Sequence, residues 1–596
     1  MKRLVVSGWW LVVGGWCLVV AGEPTGCPEF TVERPRKLES VQRTGTSVVP
    51  GRNKRTRTLV VPVSVRAEDF GFSVTNTRNA AAIGRAIAEA KRIGASGVEL
   101  KSGTYLCCDE PGFELEGLTD FTLDGKGATL VFWRPAPSAS SQVPQWKIES
   151  DGGCVSVKNC TRTWLKDFNI DWDWSREPLA SRAIVVSVNG RGRPFVDFDL
   201  PEGHPAYPSR VPILVGEAMD PTFSRFRDGP GHFFVNLSFG SMGLESEWLS
   251  PKRLRVFFDG RADEAVKFDA GGAYRLLHRY YGDNAVMMDS NRHLTLSRVN
   301  VFAARGMAFQ VRGRQRFWRI EDCAVAPPVG STRVISSTAD ANHVAQSCGF
   351  CQMVNYRVRL NSDDCSNFHD RTTIAVKSGD CGLRVINDRG ARFFGAETGD
   401  EIELLNADFS PAHWRGRIVK VTEDGYVMDR PTPKETNYAF VLANRTYGTD
   451  NILLRNCEFT DATARTLIHG CNVTVENCSW KRTCATPLRF LAVWTKNVWC
   501  EGTGCTNVIV RNCRFEHDNI WRWNVAGRTA EIVSFAFTPE RFGDQSKDAA
   551  PDVIPWEGAV SDILVENCVF VDPIDLTWQK ATGRGLIERN NRIERK

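Results

Sequence analysis

SSTADANH at residues 336–343 and SDDCSNFH at residues 362–369 are two short phrases, each rich in Asp, Asn and Ser and each ending in His. Asp340 precedes Asp363 by 23 residues, and His343 precedes His369 by 26. An interval of about 23 residues is one coil of a solenoid, whose repeats fall between roughly 20 and 50 residues. Read as a parallel β-helix, the chain places Asp340 one rung from Asp363 and Asp364. Three carboxylates then converge on one wall, a residue set suited to general acid/base chemistry.

The rest of the chain supports a solenoid. Residues 452–460 (ILLRNCEFT), 473–480 (VTVENCSW), 508–516 (VIVRNCRFE) and 563–571 (ILVENCVFV) share one pattern: apolar, any, apolar, any, Asn, Cys, any, apolar. Alternation with a period of two marks a strand with one buried face. Asn tolerates the left-handed backbone of a tight turn and can bond to the next coil. Cys457 and Cys478 are 21 residues apart, again one rung. Residues 155–173, 287–304, 317–325 and 350–360 alternate in the same way. The chain has 19 Cys, and their recurrence after Asn reads as stacked core thiols, since free Cys behaves as a small buried hydrophobe. Cys348 and Cys351 form a CxxC, but no second pair or His pair completes a metal site.

Residues 67–105 read as a turn, a helix and a strand. Ile83, Ile87 and Ala90 recur at helical spacing, with Asn76 or Thr77 as the N-cap. A helix here would cover the open first rung and blunt its edge. Residues 1–22 read as a signal peptide: Lys2 and Arg3, an apolar run to Val20, then Ala21-Gly22. That predicts a secreted or periplasmic protein with no later membrane span. Net charge is +5 over the full sequence and falls to about +3 without the leader. No basic stripe clusters, so a nucleic-acid partner is not expected.

Two intervals between rungs are too long for loops. Residues 181–282 and 371–449 carry strand-like pieces such as AIVVSV, RLRVFFDG, DEIELLNA and GRIVKVTED. The expected organisation is a signal peptide (1–22), an irregular segment packed loosely on the body (23–65), the first β-helix part (66–180), an inserted β-domain (181–282), the central β-helix with the acidic wall (283–370), a second inserted β-domain (371–449), and the last β-helix part with its tail (450–596). The fold class is all-β: a right-handed parallel β-helix with an N-terminal capping helix and two inserted antiparallel, barrel-like domains.

Asp363 and Asp364 are neighbours, so a regular strand would send them to opposite faces. The turn formers Asn361, Ser362, Ser366 and Asn367 argue for a turn that turns both outward. Carboxylates this close raise one another's pKa. A carboxyl raised in this way can protonate a leaving oxygen while another activates water.

The two acidic phrases together resemble the signature of glycoside hydrolase family 110. The likeness extends, more weakly, over residues 65–575 through the capping segment, NIDWD at 169–173, both insertions, and VWCEGTGCTNVIVRNCRF at 498–515. It implies an exo-acting α-1,3-galactosidase that inverts configuration without a metal or other cofactor. Its partner would be a glycan or polysaccharide ending in α-galactose, and a homodimer is compatible with it. In that reading Asp363 is the general acid, and Asp340 and Asp364 hold and activate the water. His343, His369, Glu501, Arg465, His469 and Trp499 are the candidate substrate-binding residues. The family's NVHG-like ending is replaced here by NFHD, which touches the same wall and puts the glycone and linkage in question. Inversion asks for roughly 6.5–9.5 Å between acid and base, more than one rung spacing of about 4.8 Å, so the side chains would have to splay. Two other readings stay open: a polysaccharide lyase on the same solenoid, and a glycan-binding protein without catalysis.

Overall fold

The computed structural model describes residues 23–36, 64–108, 111–135, 153–228, 244–386, 394–436, 438–494, 500–517, 520, 556–572 and 583–595, and the backbone of the short strands Gln42–Gly45, Arg57–Val60, His232–Phe233 and Val533–Ser534. The signal segment lies outside the described residues. Among the described residues, no helix is long and apolar enough to cross a membrane.

Parallel strands stack into three long ladders, which makes the body a parallel β-helix. The expected hand is right, the hand that nearly all parallel crossovers take. Inward positions are apolar rung after rung. Ile452 pairs with Val473, Val473 with Val508 and Val508 with Ile563, and all four are buried. Each such side chain contributes on the order of 2 kcal/mol of burial. The Asn of each Asn-Cys turn is left-handed, with φ of 52° to 55° at Asn159, Asn456, Asn477, Asn512 and Asn567, and Asp322 does the same at 54°. The following Cys is buried, and its thiol reaches the carbonyl two residues back, as at Cys478 to Glu476 (3.3 Å) and Cys513 to Arg511 (3.3 Å). Every described cysteine is a free thiol, including Cys348 and Cys351. On the third ladder Phe459, Trp480, Phe515 and Phe570 stack 4.9–5.2 Å apart inside the coil.

The capping helix spans Asn79–Ile93 and buries Ala82, Ile83, Ala86, Ile87 and Ala90. Neither Asn76 nor Thr77 is its N-cap. Arg78 holds that position without a side-chain cap, and Asn76 acts one step away by accepting from the Arg78 N–H at 2.9 Å. Residues 23–36 run along the outside of the body, touching Asn507, Thr474, Gln352, His293 and Asp120 in turn.

Both insertions are antiparallel. The second, from Thr372–Ser378 to Phe440–Asn444, is a closed six-stranded barrel with its own core around Ile402, Leu404, Ile418 and Leu442. The first contains a seven-stranded sheet that stays open among the described residues, with a separate core around Val196, Phe198, Leu254 and Tyr274.

Candidate active site

The wall foreseen from the two acidic phrases lies at the beginnings of three adjacent strands in one ladder: Asn342–Ala345, Ser366–His369 and Thr466–Ile468. Backbone bonds fix the alignment. The Ala341 N–H donates to the Asp364 carbonyl at 2.9 Å, and the Cys365 N–H donates to the Arg465 carbonyl at 2.8 Å. Asp340 and Asp364 therefore form one column, and Arg465 enters the next rung beside Asp364. This corrects the spacing argument: the rung is 24 residues, as the His343–Asn367 pairing shows, so Asp364 rather than Asp363 stacks directly on Asp340. The barrel between residues 371 and 449 is looped out without disturbing this register, and Arg465 arrives next to Asp364.

Asp363 stands off the column because the chain turns at 361–364. The Asn361 side-chain amide holds that turn, donating to the Asp363 carbonyl at 2.6 Å and to the Asp364 carbonyl at 3.0 Å. One oxygen from each of Asp340, Asp363 and Asp364 lies within 4.8 Å of the other two. The three therefore crowd together instead of splaying. Asp340 and Asp364 are 2% and 7% exposed and Asp363 is half-buried, so Asp363 presents the most open carboxylate of the three.

Each carboxylate has a distinct partner. Asp363 Oδ2 accepts from the phenols of Tyr280 (2.5 Å) and Tyr281 (3.0 Å), which come from the returning end of the first insertion. Asp340 Oδ2 lies 2.5 Å from His343 Nδ1, and Asp340 Oδ1 accepts from the Asp364 N–H at 3.3 Å. Asp364 Oδ1 faces Arg465 Nε at 3.6 Å, too far for a hydrogen bond, and neither atom has a hydrogen-bond partner. Burial, then the charges of Asp363 and Glu501, push Asp340 well above the usual carboxylate range. Burial, then Asp340 and Asp363, do the same to Asp364. Burial raises Asp363 too, but the two phenols oppose it by favouring the charged form. All three are thus raised by burial, and Asp363 alone carries two phenol donors that favour its charged form.

Beyond the carboxylates lies a polar row. His343 pairs in register with Asn367, and Asn367 with Leu467. His369 Nε2 is 3.3 Å from His343 Nε2 and 4.0 Å from Glu501 Oε1. His469 Nε2 is 3.8 Å from Glu501 Oε2, and the Asn367 amide approaches that oxygen at 3.4 Å. Burial drives His369 down to about 4 and His469 down to about 3. Burial also opposes ionisation of Glu501, but His369, His469 and His343 outweigh it and hold Glu501 below its usual value. Both His469 ring nitrogens and Asn367 Oδ1 are buried without a hydrogen-bond partner. Buried polar atoms are nearly always satisfied, so this concentration of orphans is where water or a ligand's polar groups could bond.

The structure thus gathers Asp340, Asp363, Asp364, His343, His369, Arg465, His469 and Glu501 on one wall. Trp499 lies outside the described residues. Tyr280 and Tyr281 went unnoticed in the sequence because their position depends on how a hundred-residue insertion returns. The one available signal was an adjacent Tyr pair at its junction with the next rung. The three Asp oxygens are close enough to hold a cation.

No protein-family profile matches the sequence, and no curated protein matches it; membership of glycoside hydrolase family 110 is not shown. Solved structures are similar in fold. The A-module of a mannuronan C-5 epimerase from Azotobacter vinelandii aligns at 10% identity over 89% of this chain and 97% of its own, with a TM-score of 0.35. A polygalacturonase from Erwinia carotovora aligns at 12% identity over 88% and 95%, also at 0.35. A surface protein and adhesin of Streptococcus pneumoniae aligns at 9% identity over 89% and 97%, at 0.30. Scores this low carry no argument about the reaction.

Proposed function

We propose that the protein is an exported glycoside hydrolase that removes terminal α-linked galactose, in α-1,3 linkage, from glycans or polysaccharides. The observation that carries hydrolysis is the meeting of three carboxyl groups, all raised by burial but with unlike surroundings: two buried, and one half-open and held by two phenols. Groups whose environments push their pKa values apart divide into acid and base. Asp364, with Asp340 behind it, donates the proton to the leaving oxygen. Asp363 acts as the carboxylate on the reacting face. His343 fixes Asp340, and the row of His369, His469, Asn367 and Glu501 receives the sugar hydroxyls. The galactose specificity rests on the resemblance of the two acidic phrases to family 110.

The same resemblance supports inversion; the proton roles assigned here, which differ from those the resemblance implies, leave Asp363 to activate water. The close approach of the carboxylate oxygens favours a second route, because retaining enzymes space their carboxyl groups about 5–5.5 Å apart. In that route Asp363 attacks the anomeric carbon itself. A lyase reading draws on Arg465 beside three oxygens that could hold a cation.

Linkage-defined α-galactosides, plain and sulfated, test the proposal, with product followed by NMR from the first turnover. Free galactose released first as the β-anomer supports inversion, and the α-anomer supports retention. An unsaturated, ultraviolet-absorbing product that a chelator abolishes would replace hydrolysis with elimination.

A further inference from the structure

The first insertion reaches the site by a second route besides its tyrosines. Arg275, on the inserted strand Ala273–Leu277, is fully buried and ion-paired with Glu217 of the neighbouring strand Val215–Ala218. Its remaining donors all leave the insertion and enter the β-helix. They reach the carbonyls of Val334 (2.8 Å), Leu360 (3.1 Å) and Asn361 (3.0 Å), and the hydroxyls of Ser362 (3.2 Å) and Thr463 (2.9 Å). Thr463 closes the arrangement by donating to the Asn361 carbonyl at 2.7 Å. Asn361 is the residue whose side chain holds the Asp363 and Asp364 carbonyls. One guanidinium therefore grips the corner that throws Asp363 out of the column, and it does so across the turns of three successive rungs.

A buried ion pair is weak evidence for stability, because desolvating two charges offsets their attraction. What this pair supplies is direction: the planar fork of Arg presents five donors in a fixed geometry, where the Lys ammonium has three around one point. We propose that Arg275 is a positioning residue of the active site, and that the first inserted domain, through Arg275, sets the turn that carries Asp363 and Asp364. This rests on the proposed hydrolysis for its kinetic consequence but not for its structural one.

Removing Arg275 alone would strand Glu217 as an unpaired buried charge, so the test uses the double variant Arg275→Met/Glu217→Leu beside Arg275→Lys in the full-length protein. Two measurements are made on each. Hydrogen exchange of the amides at 361–366 is compared with that of the remote strand Val473–Glu476. The account expects exchange at 361–366 to rise about tenfold or more in a variant whose remote strand is unchanged. It also expects kcat on an α-galactoside to fall about a hundredfold, the scale of a 1 Å misplacement, with KM changed less than threefold. Unchanged exchange at 361–366 in a folded double variant overturns the positioning role whether or not the parent turns over any sugar. A parent without hydrolytic activity overturns the proposed function and leaves the exchange result to decide this inference. If both variants lose protection everywhere, including at 473–476, the pair is a global support and the inference fails.

Discussion

The two ends of the candidate wall respond to the same physical force in opposite directions. At the carboxylate end, burial raises Asp340 and Asp364 and keeps protons on groups that are normally charged. At the imidazole end, burial lowers His369 to about 4 and His469 to about 3, and keeps protons off groups that normally titrate near neutrality. Burial thus disfavours the charged form at both ends, while the two phenols on Asp363 and the imidazoles beside Glu501 favour ionisation of those two carboxyl groups. Desolvation favours the protonated carboxyl at one end and the unprotonated imidazole at the other.

The largest effect that separates the two ends is expected at Asp364. Asp364→Asn should slow cleavage of an unactivated α-galactoside about a thousandfold, within the range for a lost acid catalyst. It should slow an activated aryl galactoside no more than about tenfold, because a good leaving group needs little protonation. Equal losses on both substrates would remove Asp364 as the proton donor.

A smaller change should follow at the phenols. Tyr280→Phe with Tyr281→Phe takes away two donors that favour the charged form of Asp363. Its pKa then rises, more of it is protonated in acid, and the acid limb of the rate profile moves to higher pH. A loss of about tenfold at pH 5 that shrinks by pH 8 is the expected pattern, and a pH-independent loss would show that the phenols act only in packing.

The imidazole end should read out in binding. His469→Gln is expected to raise KM about tenfold with kcat within threefold. Because both histidines remain neutral above about pH 5, their share of binding should stay flat from pH 5 to 8. A KM that climbs between pH 7 and 6 would mean that the rings titrate near their ordinary value and that the burial argument fails there.

The smallest effects concern stability, and their signs are opposite. An unfolded Asp loses its proton near 3.9, whereas folded Asp364 keeps it to higher pH. The folded state binds the extra proton across that window, so this contribution falls as pH rises. Asp364→Asn should therefore raise the melting temperature at pH 7–8 and change it little near pH 3. An unfolded His gains its proton near 6.5, but His369 and His469 gain theirs only near 4 and 3. Their contribution falls as pH drops below about 6.5, so His469→Gln should help most near pH 4. Thermal scans at both ends of the range check both signs.

What was legible in the sequence follows from periodicity. The Asn-Cys phrase repeats because a coil needs a left-handed turn residue followed by a small buried side chain, and that recurrence exposed the solenoid, the thiol column and the rung on which Arg465 and His469 lie. The acidic wall was legible for the same reason. The register was misread by one residue because the turn at 361–364 adds a position that alternation cannot count. The phenols of Tyr280 and Tyr281 on Asp363 were not legible, because their approach is set by the three-dimensional return of an insertion and leaves no pattern at fixed spacing. Arg275 and Glu217 were invisible for that reason too: within their own strands they look like ordinary charged residues of an antiparallel sheet.

The central claim is that the carboxylate end performs hydrolysis through the charged Asp363. It is tested most directly by the rate of galactose release from a terminal α-1,3-galactoside by the parent and by Asp363→Asn, with folding of the variant verified by its melting curve. The account predicts release by the parent and a loss of about a thousandfold or more in a folded variant, on plain and activated substrates alike. Release by the variant at the parental rate would contradict it.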